Sequence, residues 1–187
     1  MSRRKRIVLG LMAALQTGAL AGGGGGPLDP LALLRRDSRV TQLEVQGTHA
    51  TAQRWRVQWN APAALVDLTF SNEAVTAAQA QRVRQITVAL QVPAAQGLTL
   101  GQVRALDQVT RTLATACLGR EVPVLTDVLR GRLNRPLPTS GPLLRLPDGL
   151  HIDVEPGEAG SPGRPWLRVT VPLGEQPPRC QMPTGRH

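Results

Sequence analysis

The chain has 187 residues, 22 of them Lys or Arg and 13 Asp or Glu, for a formal net charge of +9, with 41% hydrophobic and 19% charged residues. That length holds one domain with a core of useful size. The composition excludes a charge-rich disordered tail and a protein with several membrane spans.

The charge is unevenly placed. Arg3, Arg4, Lys5 and Arg6 stand together and precede an uncharged run from Ile7 to Ala21 that ends in Ala19-Leu20-Ala21. A cationic segment, an apolar run and a small-x-small end are the parts of a secretory signal peptide, so residues 1–21 are expected to be a leader that meets the membrane only during export. The run contains Gln16 and Thr17 and is shorter than the roughly 20 apolar residues a permanent span requires. No cysteine follows it to carry a lipid anchor. A true start at Met12 would instead remove the basic segment and leave the protein in the cytoplasm.

Cleavage after Ala21 leaves 18 Arg, no Lys and 13 acidic residues, a net +5. A single Lys beside 21 Arg, with abundant Ala, Gly and Pro, reflects the coding bias of a GC-rich bacterial genome. The guanidinium never deprotonates, so the basic balance is poor evidence for an acidic partner.

Residues 22–28, with glycine from Gly22 to Gly26, form a tether without conformational preference, and a single domain is expected over 29–187. Asp29-Pro30 is a helix start, a carboxylate to cap free amides followed by a ring that fixes φ, with Leu31, Leu33 and Leu34 behind it. Thr41, Leu43 and Val45 then alternate with Glu44 and Gln46. Trp55, Val57 and Trp59 alternate with Arg54, Arg56 and Gln58, and Val66, Leu68 and Phe70 with Asp67 and Thr69. Period two predicts three half-buried strands. The stretch from Glu73 to Arg82 has helical composition. Ile86, Val88, Leu90 and Val92 alternate again and predict a strand, although Val83, Ile86 and Leu90 also fit a helix continued through them.

Thr99 and Gln102 have capping-box spacing, and Val103, Leu106, Val109, Leu113 and Cys117 repeat at helical intervals up to Gly119, which is placed to end the helix. Arg104 and Arg111 fall opposite that apolar stripe and are expected in water. A second helix is expected over 123–133, burying Leu125, Val128, Leu129 and Leu133. Residues 144–154 read as a hairpin turning at Pro147-Asp148-Gly149. A Gly- and Pro-rich loop from Glu155 to Pro165 leads to a last strand with Leu167, Val169 and Val171 on one face and Trp166, Arg168 and Thr170 on the other, before a Pro-rich tail. Strands, helices, then strands predict an α+β domain, a mostly antiparallel sheet packed against two or three helices.

Cys117 and Cys180 are the only cysteines, and in an exported chain an even count predicts a bridge. Closing a loop of about 64 residues stabilises by about 4 kcal/mol in the chain-entropy model. His151 and Asp153 share a strand face, but two ligands do not make a metal site and a solvated hairpin face explains them. No P-loop, G-x-S-x-G, H-E-x-x-H or paired C-x-x-C is present. The sequence therefore offers no cofactor, no metal site and no catalytic constellation.

It points first to an exported, non-catalytic binding or structural module of a bacterial cell envelope, whose partner is an envelope protein or polymer. The alternative is a small basic protein that binds nucleic acid, single-stranded DNA preferred, without reading its sequence. Its surface would combine Arg130, Arg132, Arg135 and Arg145, in a stretch without acids between Asp127 and Asp148, with Arg54 and Arg56.

Overall fold

The computed structural model describes residues 27–49, 51–60, 63–72, 82–93, 95–119, 121–157, 164–174 and 179–183. The expected leader, Gly22–Gly26 of the tether, and the helical composition from Glu73 onward lie outside the described residues, apart from Arg82. Among the described residues no helix is long and apolar enough to cross a membrane.

Helix α1 (Pro30–Arg35) starts where Asp29 caps it, the carboxylate accepting the Leu31 N–H at 2.9 Å. Strands β1 (Val40–Thr48), β2 (Ala52–Asn60), β3 (Ala63–Ser71) and β4 (Gln85–Gln91) follow as an antiparallel meander. The ambiguity over residues 84–92 thus resolves as strand, because Ile86 and Val88 lie opposite strand neighbours on both sides and Leu90 lies opposite Leu167.

Helix α2 (Leu100–Leu118) carries the expected capping box at Thr99 and Gln102 and ends at Gly119, whose φ of 71° is the left-handed conformation that a side chain would strain. Val103, Leu106, Val109, Leu113 and Cys117 are all buried.

Residues 123–133 do not form the single helix expected of them. Helix α3 covers only Leu125–Val128 and gives way to a 3₁₀ turn at Arg130–Arg132. Gly131 is a poor helix residue, and the tighter turn brings Leu133 alongside Leu98, where the Asn134 N–H donates to the Leu98 carbonyl at 2.9 Å. Leu125 and Leu129 are fully buried as expected, while Val128 and Leu133 are half-buried.

Strands β5 (Gly141–Arg145), β6 (His151–Glu155) and β7 (Trp166–Pro172) complete one seven-stranded antiparallel sheet in the order β1-β2-β3-β4-β7-β6-β5. The helical segment after β4 carries the chain to the far edge, from which β5, β6 and β7 fold back until β7 pairs with β4. In the β5–β6 turn the Gly149 N–H donates to the Leu146 carbonyl at 3.0 Å, and Gly149 adopts a φ of 84°. The fold is a single small α+β domain dominated by its sheet.

All three helices cover one face. Trp55, Val57, Trp59, Val66, Leu68, Phe70, Ile152, Val154, Leu167 and Val169 meet Leu31, Leu34 and the α2 stripe in one continuous core. Edge strand β1 is covered poorly, so Val45, in register with buried Trp55, remains 38% exposed and Thr41 lies in solvent.

The described part of the tail is tied down at several points. Cys180 is disulfide-bonded to Cys117 at the end of α2, and residues 179–181 run between Leu28 and Val83. Leu28 donates to the Arg179 carbonyl at 2.7 Å, Gln181 donates to Leu28 at 2.9 Å and Val83 donates to Cys180 at 3.2 Å. Leu28, expected in the tether, is therefore part of the hydrogen-bonded framework.

Candidate functional site: the open sheet face and the groove beside α2

Among the described residues no helix packs on the other face of the sheet, and strand register assigns its side chains, of which Thr87, Ala89 and Thr170 at the centre are buried. One row runs Glu44, Arg56, Asp67, Ala89, Arg168, Asp153 across six strands. The next runs Arg54, Thr69, Thr87, Thr170, His151, Arg145. Charges alternate in the first row on either side of Ala89, with Arg56 and Asp67 paired inside it and Arg168 and Asp153 paired with side chains outside it. Arg56 grips Asp67 through Nε at 2.7 Å and Nη2 at 3.0 Å, Arg168 donates to Glu155, and His151 Nε2 lies 3.4 Å from Asp153. Among the described residues of these strands, four arginines on this face, Arg54, Arg56, Arg145 and Arg168, stand against four carboxylates, Glu44, Asp67, Asp153 and Glu155. The face is polar and close to electrically neutral.

The six arginines singled out from the sequence are dispersed. Arg54 and Arg56 are neighbours on β2. Arg145 shares a row with Arg54 but lies five strands away, about 24 Å at the usual strand spacing. Arg130, Arg132 and Arg135 occupy the 3₁₀ turn and the loop after it, beside the start of α2, and Arg130 spends its charge on Asp127 at 2.8 Å. The stretch that looked free of acids borrows one from its own border. Trp55 and Trp59 face the helices, as alternation predicts, so they cannot stack on a strand tracked by Arg54 and Arg56.

His151 Nδ1 lies 3.2 Å from the Gly149 carbonyl, and its carboxylate partner among the described residues is Asp153. Among the described residues no group of three or more His, Cys, Asp or Glu side chains could hold a metal.

A second feature had no expectation attached to it. On the helical side, an open groove of about 500 Å³ is lined by Arg39, Gln108, Arg111, Thr112, Thr115 and Glu121, among others. The turn before β1 builds one wall. Asp37 takes Arg39 Nε at 2.8 Å and Nη2 at 2.6 Å, and the guanidinium stacks over the Trp59 ring 4.6 Å from its centroid. Trp59 is fully buried, and its indole N–H donates to Gln108 Oε1 at 3.1 Å. The Arg39 hydrogen bond holds the Asp37 carboxyl below its ordinary range, and the same bond raises Arg39.

Helix α2 supplies the other wall, and here the expectation for Arg111 is corrected. Arg104 is exposed, but Arg111 is only half so: its Nη1 lies 3.9 Å from Asp107, and its Nε is shielded with no hydrogen-bond partner among the described residues. The helical wheel placed Arg111 opposite the core but could not see the turn at Arg39 closing over that side. Asp107, on the flank of the apolar stripe, is 6% exposed and accepts the Leu125 N–H at 2.6 Å, thereby capping α3. Burial pushes its carboxyl above the ordinary range, against the pull of the Leu125 bond and of Arg111. A carboxylate one residue after Leu106 and two before Val109 was the sequence signal for a buried acid.

Comparison with protein-family models, curated proteins and solved structures finds no significant match to this chain.

Proposed function

We propose that the chain is an exported, non-catalytic binding or structural module of a bacterial cell envelope. The Cys117–Cys180 disulfide carries this reading, because a bridge that joins the principal helix to the tail fits an oxidising compartment. The sequence of residues 1–21 supplies the route. The partner is an envelope protein or polymer, and two surfaces are candidates for it: the polar side chains around the sheet face that carries no helix among the described residues, and the groove beside α2.

The nucleic-acid alternative loses support. Phosphate binding needs several cations within reach of one backbone. The open face instead balances its arginines against carboxylates, and Arg130, Arg132 and Arg135 lie away from it.

The export half is tested by fusing residues 1–28 to a reporter enzyme that is active only after it leaves the cytoplasm. Activity comparable to that of an established leader supports it. An inactive fusion, expressed at the same level, removes it.

A further inference from the structure

Cys117 and Cys180 are joined, and neither reaches solvent: they are 1% and 0% exposed and belong to the continuous core. A disulfide is opened by a thiolate that attacks one of its sulfurs, so a covered bridge reacts only once part of the protein has moved off it. The two cysteines differ in how firmly they are covered.

Cys117 lies in the last turn of α2, whose apolar stripe is buried from Val103 onward. Moving that helix opens the core. Cys180 lies instead in a short strap, residues 179–183, that meets Leu28 and Arg82 through isolated bridges rather than as a regular strand. Arg179 is exposed, and Gln181 and Met182 are half-buried. Backbone bonds tie the strap to Cys117, Leu28 and Val83, and at its far end Gln53 Nε2 donates to the Pro183 carbonyl at 2.8 Å. The Arg179 guanidinium lies directly over Gly119, where a Cβ would stand 2.4 Å from its Cζ. Lifting the strap breaks a few hydrogen bonds and exposes little apolar surface beside what the core holds, so it is the smaller opening.

The strap also holds what it crosses. Both backbone groups of Leu28 are spent on it: the N–H donates to the Arg179 carbonyl and the carbonyl accepts from the Gln181 N–H, at 2.7 and 2.9 Å. Val83, which leads into β4, donates to the Cys180 carbonyl at 3.2 Å. Release of the strap therefore frees the N-terminal approach to α1 as well as the tail.

We propose that residues 179–183 are a redox-sensitive latch: they gate the access of a dithiol to the Cys117–Cys180 bridge, and reduction of the bridge releases the tail and Leu28 together while the sheet stays folded. One thiolate of the dithiol attacks a bridge sulfur and the other cysteine leaves as a thiolate. The second thiol then displaces the first cysteine. The reductant becomes a disulfide, and its two electrons and two protons end on Cys117 and Cys180. The latch is a property of the bridge and its cover, independent of the partner proposed above and of export.

Dithiothreitol is the probe. Oxidised protein is exposed to it at a series of urea concentrations below the unfolding transition, aliquots are alkylated, and intact mass counts the thiols. Reduction of the folded protein is expected to be at least about a hundredfold slower than that of the urea-unfolded chain, with a urea dependence at most about half that of global unfolding. Gln53→Glu keeps the acceptor for the Trp55 indole and removes the donor to Pro183. It should speed reduction about three- to tenfold and raise exchange at the Leu28 amide by the same factor, leaving the amides of β3 protected. Reduction as fast as in the unfolded chain would mean that nothing gates the bridge. A urea dependence equal to that of global unfolding, a rate unchanged in Gln53→Glu, or faster reduction without faster exchange at Leu28 would each overturn the latch as well. Any of these failures leaves the bridge, and the export reading that rests on it, in place.

Discussion

The carboxylate of Asp107 on α2 accepts the backbone N–H of Leu125 at 2.6 Å, so one side chain caps a helix that begins 18 residues further along the chain. Helix α3 has no side-chain cap at its own Val124. Replacing Asp107 by Ala removes that acceptor and is expected to cost about 1–2 kcal/mol in urea unfolding. Asn keeps an acceptor and removes the charge. Because burial raises the native pKa of Asp107, its contribution is complete below the unfolded-state pKa and is lost as pH rises through the native value. Asp107→Asn should therefore gain on the native protein as pH rises from the acid range towards neutrality. Parallel pH profiles for the two proteins would refute the assignment.

Asp37 behaves with the opposite sign. Its pKa is lowered, chiefly by the hydrogen bond from Arg39, so its stabilisation is complete above the unfolded-state pKa and is lost as pH falls through the lowered native value. Asp37→Asn is expected to cost about 1 kcal/mol near neutral pH and progressively less in the acid range. The same substitution loosens Arg39 over Trp59 and should alter tryptophan emission. A loss of stability that is constant with pH would place the effect elsewhere.

The disulfide holds more than the two segments it joins. Arg179 donates to the Cys117 carbonyl at 3.1 Å, and the adjoining residues bond to Leu28 and Val83. Replacing both cysteines by Ala should cost about 2–4 kcal/mol. Hydrogen exchange should accelerate first at Leu28, Val83 and Gln181, while the amides of β2 and β3 stay protected. Uniform acceleration would mean that the tail is not a separate unit.

Much of this was legible in the chain. The capping box, the α2 stripe, Gly119, the alternation of Trp55, Val57 and Trp59, and the turn at Pro147-Asp148-Gly149 depend on neighbours within a few residues, where local conformation and burial agree. Pairing of Cys117 with Cys180 followed from their number and an assumed compartment. Long-range relationships were not legible. The placement of β7 beside β4, with β5 at the outer edge, depends on register between segments about 80 residues apart, which no local pattern encodes. The groove depends on Arg39 meeting α2. Its residues looked like an ordinary turn and a solvated helix face until the fold brought them together.

Single-stranded oligonucleotide supplies a further check. At ionic strengths near physiological, no saturable binding is expected, since Arg56 and Arg168 are occupied by Asp67 and Glu155 and the open face carries little net charge. Saturable binding that weakens on substituting Arg54 and Arg56 would restore the nucleic-acid alternative.

The central claim, an exported and oxidised module, is tested most directly by the intact mass of the protein taken from its cells and alkylated before and after reduction. The expected chain begins at Gly22 and gains no alkyl group until Cys117 and Cys180 are reduced. A chain that begins at Met1 or Met12 with both cysteines alkylated at the outset would contradict it.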